Sequence, residues 1–187
     1  MSDAQSPARW SPATIALHWL SALLILGLLA LGWVMVHAID DAASKFDLFQ
    51  WHKSFGFVAL ALLLARIAAR LASPAPAGLA MPAWEQRAAS AMHWTLLLLT
   101  AIAALSGWLL ASAAIIPIPT RFFDLFVIPN IAGANPWLAE QMTLLHYVAT
   151  RLMMVLVALH IGAALKHHFV NRDAALRRIL PRWRLRD

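Results

Sequence analysis

An all-α membrane protein, built as a four-helix bundle, is the fold class this sequence predicts, and three observations predict it. The first is composition: 61% of the residues are hydrophobic and 13% are charged, too apolar for a soluble domain of 187 residues. The second is the presence of four apolar runs, at about 13–36, 49–71, 88–113 and 142–168. Each is long enough to cross a bilayer as a helix of about 20 residues. The third is the placement of charge. All nine acidic residues (Asp3, Asp40, Asp41, Asp47, Glu85, Asp124, Glu140, Asp173 and Asp187) fall outside the runs or at their edges.

The first span has a clean start, since Ser11 is a helix N-cap residue and Pro12 suits the first helical position. It is too long for a signal-peptide core, is preceded only by Arg9 and is followed by no small-residue cleavage site, so it is expected to be retained. Asp40, Asp41, Lys45 and Asp47 lie in the connection to the second span. Pro74, Pro76 and Pro82 make the next connection a turn or short extended linker. The connection from Pro117 to Trp137 is apolar for a loop, with Phe122, Phe123 and Phe126, and is expected to lie on the membrane surface. After the fourth span comes a basic tail, residues 169–187.

Basic residues set the orientation. Arg9, then Arg66, Arg70 and Arg87, then Lys166, Arg172, Arg177, Arg178, Arg182, Arg184 and Arg186 all fall on one side, which the positive-inside rule makes cytoplasmic. Both termini are therefore expected inside, with residues 1–187 forming one membrane domain. Topology and anionic lipid account for the tail; no nucleic-acid motif accompanies it, so no nucleic-acid partner is expected. Tryptophans near the span ends read as interfacial anchors.

The absence of cysteine excludes thiolate iron–sulfur clusters, covalently attached haem and disulfides. With no carboxylate inside the spans, a proton relay or hard-cation pathway through the membrane has no ligands. Histidine is what the spans do contain. An intramembrane imidazole is costly unless its lone pair is used, which makes it a functional-site hypothesis by default.

His146 and His160 lie fourteen residues apart in the fourth run. At about 100° and about 1.5 Å per residue they face nearly one way and are separated by about 21 Å, one near each membrane surface. His52 opens the second span at the outer level beside His146. At the inner level His18, His93 and His160 are three candidates for two axial positions. Bis-histidine ligation of haem iron leaves no open coordination position and favours electron transfer. A weak internal repeat supports two packed hairpins: Ala16-Leu17-His18-Trp19 with Gly32-Trp33 matches Ala91-Met92-His93-Trp94 with Gly107-Trp108. His52 is followed after fourteen residues by Arg66, as His146 is by His160. Four-helix bundles hold cofactors between such facing helices.

These residues resemble the bacterial cytochrome b561 family, which is related to the haem-b subunits of nickel hydrogenase and formate dehydrogenase. The likeness covers most of the chain. It is carried by Leu17-His18-Trp19-Leu20, His52-Lys53-Ser54-Phe55-Gly56 with Ala65-Arg66 and Arg70-Leu71, His93 with Gly107, and Leu159-His160 followed by His167-His168-Phe169. The resemblance implies two b haems, with His18 and His160 as axial ligands of the inner one and His52 and His146 of the outer one. It leaves His93 spare. Among the family, the small superoxide:ubiquinone oxidoreductases are the most similar, which implies that His93 and His167 line a cytoplasmic ubiquinone pocket. On an α-helix His167 would lie about 10 Å beyond His160 on nearly the same face.

The implied partners are membrane lipid, ubiquinone as substrate, and a small anionic or soluble redox donor at the outer face. The implied location is the bacterial inner membrane. Arg66 and Arg70, one turn apart, are expected to neutralise haem propionates. Lys53 and Arg151 are placed to attract an anionic donor. His37 has no partner at its level. Two alternatives stand beside the di-haem electron-transfer reading: a haem-b membrane anchor for a larger dehydrogenase or hydrogenase-like complex with a partner subunit, and a histidine-lined transition-metal transporter.

Overall fold

The computed structural model describes residues 9–73, 76–79, 81–116 and 118–181. Asp3, Pro74, Pro117, Arg182, Arg184, Arg186 and Asp187 lie outside the described residues. Four long helices carry the chain: α1 (Pro12–His37), α2 (Ala42–Ala72), α3 (Ala83–Ser112) and α4 (Pro136–Leu165). Each contains a window apolar enough to cross a bilayer. Their outward faces remain apolar, with Leu23, Leu64, Leu98, Trp94 and Val155 all more than half exposed. In water such a belt would be an aggregation surface; in a bilayer it is the lipid contact.

The helices reach further than the apolar runs, because caps and not hydropathy decide where they begin. Asp41 caps α2 by accepting a hydrogen bond from the Ser44 N–H at 2.8 Å, eight residues before the run at 49–71. Asn135 does the same for α4 through the Leu138 N–H at 3.0 Å, with Pro136 at the first position. In α1 the expected cap holds, Thr14 N–H donating to Ser11 Oγ at 3.2 Å.

Helix α1 packs along α2, and α3 along α4, while α2 and α3 join the two hairpins. The α4 backbone makes little close approach to α1 or α2. A small core of Leu99, Ala149 and Met153 sits between α3 and α4, flanked by Ile25, Ile102 and Leu156.

The connection between α3 and α4, expected on the membrane surface, is built around a short element the sequence did not announce. It contains an antiparallel hairpin, β1 (Thr120–Phe122) with β2 (Phe126–Ile128), in the register Thr120↔Ile128 and Phe122↔Phe126. Phe123 (φ 48°) and Asp124 (φ 58°) turn it, with Leu125 N–H bonded to Phe122 C=O at 2.9 Å. Two buried polar residues of α2 clamp it. Gln50 donates to Pro119 C=O at 3.0 Å and accepts from Arg121 N–H at 3.2 Å. Ser54 donates to Arg121 C=O at 2.9 Å and accepts from Phe123 N–H at 3.0 Å.

The opposite end carries residues 9–11 and the segment after α4. Beyond α4 the chain makes a π turn, Lys166–Val170, and residues 174–181 fold back across the bundle. The Arg9 guanidinium donates to Leu180 C=O, Trp19 Nε1 to Ile179 C=O at 2.8 Å and Arg178 to Ala77 C=O at 2.6 Å. This part of the basic tail is therefore a strap that ties the N-terminal segment to the α2–α3 connection, a contact no hydropathy or charge pattern announced.

Candidate functional site

Five of the eight histidines meet between the helices at two levels, and α4 contributes to both. Near the β-hairpin end the rings of His52 (α2) and His146 (α4) are 6.2 Å apart, centre to centre. Near the terminal end His160 (α4) lies 6.4 Å from His18 (α1) and 5.4 Å from His93 (α3). The fourteen-residue spacing puts the two levels about 21 Å apart along α4.

Two imidazoles on opposite sides of one metal have ring centres about 6.3 Å apart, from two bonds of about 2 Å and about 1.15 Å between each nitrogen and its ring centre. The 6.2 and 6.4 Å pairs match that dimension, and the His93–His160 pair falls short of it. Both matching pairs bridge helices whose backbones keep apart, and the two rings of each pair stand edge to face, at 76° and 61°. His146 is set up as a ligand would be. Its Nδ1 donates to Ala103 C=O at 2.8 Å, with Ser106 Oγ at 3.3 Å, which leaves the Nε2 lone pair free. His52 Nδ1 is buried and has no partner among the described residues.

Glycines hold the space around these rings. A Cβ on Gly107 of α3 would come within 3.3 Å of His146 Cε1, and one on Gly32 of α1 within 3.5 Å of His52 Cε1. The repeat read from the sequence thus has a geometric content, since in each hairpin the glycine fourteen residues after the first histidine faces the histidine of the next helix.

Arg66 lies in electrostatic range of His18, His93 and His160 and lines a small interhelical cleft, with room for about one water, beside Ser21, Ile25, Ala59, Leu63 and Thr100. Ser21 Oγ is buried there without a protein partner among the described residues. Arg70 instead stacks over the Trp10 ring at 4.9 Å. Towards the hairpin end, Lys53 lies near Arg121, whose guanidinium pairs with Asp124 at 3.0 Å. Arg151 is exposed over the Tyr147 ring. His37 bonds Trp33 C=O within α1, outside both groups.

His167 falls on the π turn, so the α-helical projection from His160 holds only as far as Leu165. Its Nδ1 contacts Asp173 Oδ2 at 2.5 Å. Trp19, Ser106 and Asp173 are residues that sequence reasoning did not assign. Trp19 packs edge-on against His18 at 5.5 Å while its indole N–H is held by the C-terminal strap. Its adjacency to His18 was the available signal; Ser106 and Asp173 had none.

A bundle of four membrane helices with imidazoles facing across it at two depths belongs to the class of multi-pass membrane electron-transfer proteins. The chain is a member of the prokaryotic cytochrome b561 family, which it matches over residues 9–182. It is 34% identical over 184 residues to cytochrome b561 homolog 2 of Escherichia coli (strain K12), covering 96% of this chain and 95% of that protein. It is 27% identical to the probable superoxide oxidase CybB of Yersinia pestis, covering 94% and 98%. Cytochrome b561 homolog 1 of Escherichia coli (strain K12) is 28% identical, covering 93% and 98%. Family and fold make it a bacterial multi-pass membrane protein in contact with lipid, and the family implies haem b. Membership displaces the transition-metal transporter alternative.

Proposed function

We propose that the chain is a single-domain di-haem b oxidoreductase that takes electrons from a small anionic donor at the β-hairpin end and delivers them to ubiquinone at the terminal end. The observation that carries this reading is the pair of imidazole spacings, 6.2 and 6.4 Å, at two depths on the shared helix α4. His52 and His146 would hold the outer haem, and His18 and His160 the inner one. When bound, haem b supplies reversible one-electron transfer at an iron with no open coordination position.

The residues of the chain divide the remaining work. Ala103 C=O fixes the His146 ring in the tautomer that presents Nε2. Arg66 brings positive charge to the inner level, where it would neutralise carboxylates of the inner group; Arg70, engaged with Trp10, would assist from the terminal end. Lys53, with Arg121 beside it, raises the local concentration of an anion at the outer end. His93, exposed on α3 beside the inner pair, is open to a lipid-borne quinone, and a ring there can hydrogen-bond a quinone carbonyl. His167 is the proton donor in this reading. With termini cytoplasmic, superoxide fits as donor, and a relative named as a probable superoxide oxidase supports that choice. Two superoxide anions are oxidised to dioxygen while one quinone takes two electrons and two protons to become quinol.

The test is direct. Purified protein supplied with superoxide and a short-chain ubiquinone should form quinol in a two-to-one ratio of superoxide to quinone. Reduction by quinol alone, with no response to superoxide, would reverse the assigned direction.

A further inference from the structure

The chain leaves α4 in a way that serves one side chain. In the π turn, Asn171 N–H reaches back to Lys166 C=O at 3.0 Å, and Asp173 N–H then bonds His167 C=O at 3.1 Å. Between them Arg172 adopts φ 54°, a left-handed conformation unusual for a residue with a Cβ. Such π turns recur at functional sites because they break the α register locally. Here the result is that the Asp173 carboxylate is folded onto His167. Its Oδ2 lies 2.5 Å from His167 Nδ1, and its Oδ1 accepts from Ala175 N–H at 2.8 Å. With Nδ1 protonated, the Asn171 amide that lies 3.2 Å from it turns its oxygen to the ring, since two N–H donors cannot pair.

We infer that Asp173 is a positioning residue for His167, holding its proton on Nδ1 and stabilising the imidazolium so that Nε2–H is delivered to a quinone oxygen. This rests on the quinone reading of the terminal end. An aspartate on one nitrogen fixes which tautomer the ring adopts and favours its charged form, the same physical arrangement that orients a histidine in hydrolytic triads. In the transfer, the Nε2–H bond breaks as an O–H bond forms on the reduced quinone. The ring is left neutral with its proton on Nδ1, and water restores the proton on Nε2. The side chains are only 17% and 26% exposed, sheltered yet within reach of water. The other charges around the pair are Arg177, which approaches Asp173, and Lys166, which is tied to Glu85 at 3.4 Å. Burial raises the Asp173 pKa, but the Ala175 N–H and the His167 contact outweigh it and hold the carboxyl below its ordinary value. The carboxylate therefore faces His167 Nδ1 as a hydrogen-bond acceptor at neutral pH.

The haem-loaded protein, chemically reduced and mixed with a short-chain ubiquinone from about pH 5 to 9, tests this by stopped flow. Asp173→Asn should slow quinone reduction at least about tenfold with haem content and spectrum unchanged. It should also move the fall in rate with rising pH to lower pH, because the imidazolium has lost its counter-charge. Asp173→Glu should restore most of the rate, and adding Asp173→Asn to His167→Gln should cause no further loss. An Asp173→Asn protein with the wild-type rate and pH profile overturns the role of Asp173. If His167→Gln itself keeps the wild-type rate, the quinone reading of His167 is what fails. Should Asp173→Asn lose its haem, Asp173→Ala assayed with added formate decides: a restored rate supports the carboxylate's role, and an unrestored one in folded, haem-loaded protein refutes it.

Discussion

One methyl group separates two outcomes at the glycines that face the rings. Gly107→Ala places a carbon 3.3 Å from His146 Cε1 and Nδ1, so the ring must move by a few tenths of an ångström. Overpacking of that kind costs about 1–3 kcal/mol. Gly32→Ala meets His52 at 3.5 Å, an ordinary contact. We expect Gly107→Ala to lower the melting temperature and disturb the outer haem spectrum, and Gly32→Ala to leave both nearly unchanged; equal effects would contradict this geometry. For His93, sitting 5.4 Å from His160, the expected result of His93→Ala is full haem content with quinone reduction lost. Loss of half the haem would make His93 an axial ligand.

The hairpin and the helix caps bear their own predictions. Ser54 is buried and satisfies both Arg121 C=O and Phe123 N–H, so Ser54→Ala leaves two backbone groups without their partner, a penalty of about 1–3 kcal/mol each where water cannot reach. Limited proteolysis between 119 and 128 should accelerate in that variant. At Asp41 the Ser44 N–H holds the carboxyl below its ordinary pKa of 3.8. A carboxyl depressed on folding stabilises at pH above its unfolded value and loses that contribution as pH falls through its folded value. The protection of the Ser44 amide, measured relative to its intrinsic exchange rate, should therefore be full above about pH 4 and be lost as pH falls through the lowered value, and Asp41→Ala should remove that change in protection. Reading the elements from sequence worked where hydropathy decides and stopped where capping does. Asn135-Pro136 repeats the signal of Ser11-Pro12, but Asn135 stands well before the apolar run and not at its edge, where hydropathy gives it no helix to cap. The hairpin, three residues to a strand with Phe123 and Asp124 at positive φ where glycine or asparagine is usual, offered no turn motif to find.

At the scale of the molecule, the two hairpins are approximate copies that differ where it matters. His52 and His146 are equivalent positions and face each other. One level inward the equivalents are Arg66 and His160, so only α4 offers an imidazole there, and it meets both His18 and His93. Sequence spacing exposed this because histidines in apolar runs have no bland reason to share depths. It could not choose between His18 and His93, since the choice lies in a difference of about 1 Å between ring spacings that depends on how three helices pack. Nor could it foresee the return of Asp173 to His167, which needs a π turn and a left-handed Arg172.

The most direct measurement is the haem-to-chain ratio of purified wild-type protein beside His146→Ala and His160→Ala, read from extracted haem and protein mass. We expect two haems in the wild type and one in each variant, the outer lost with His146 and the inner with His160. One haem in the wild type, or two retained in either variant, would contradict the assignment of two levels to one shared helix.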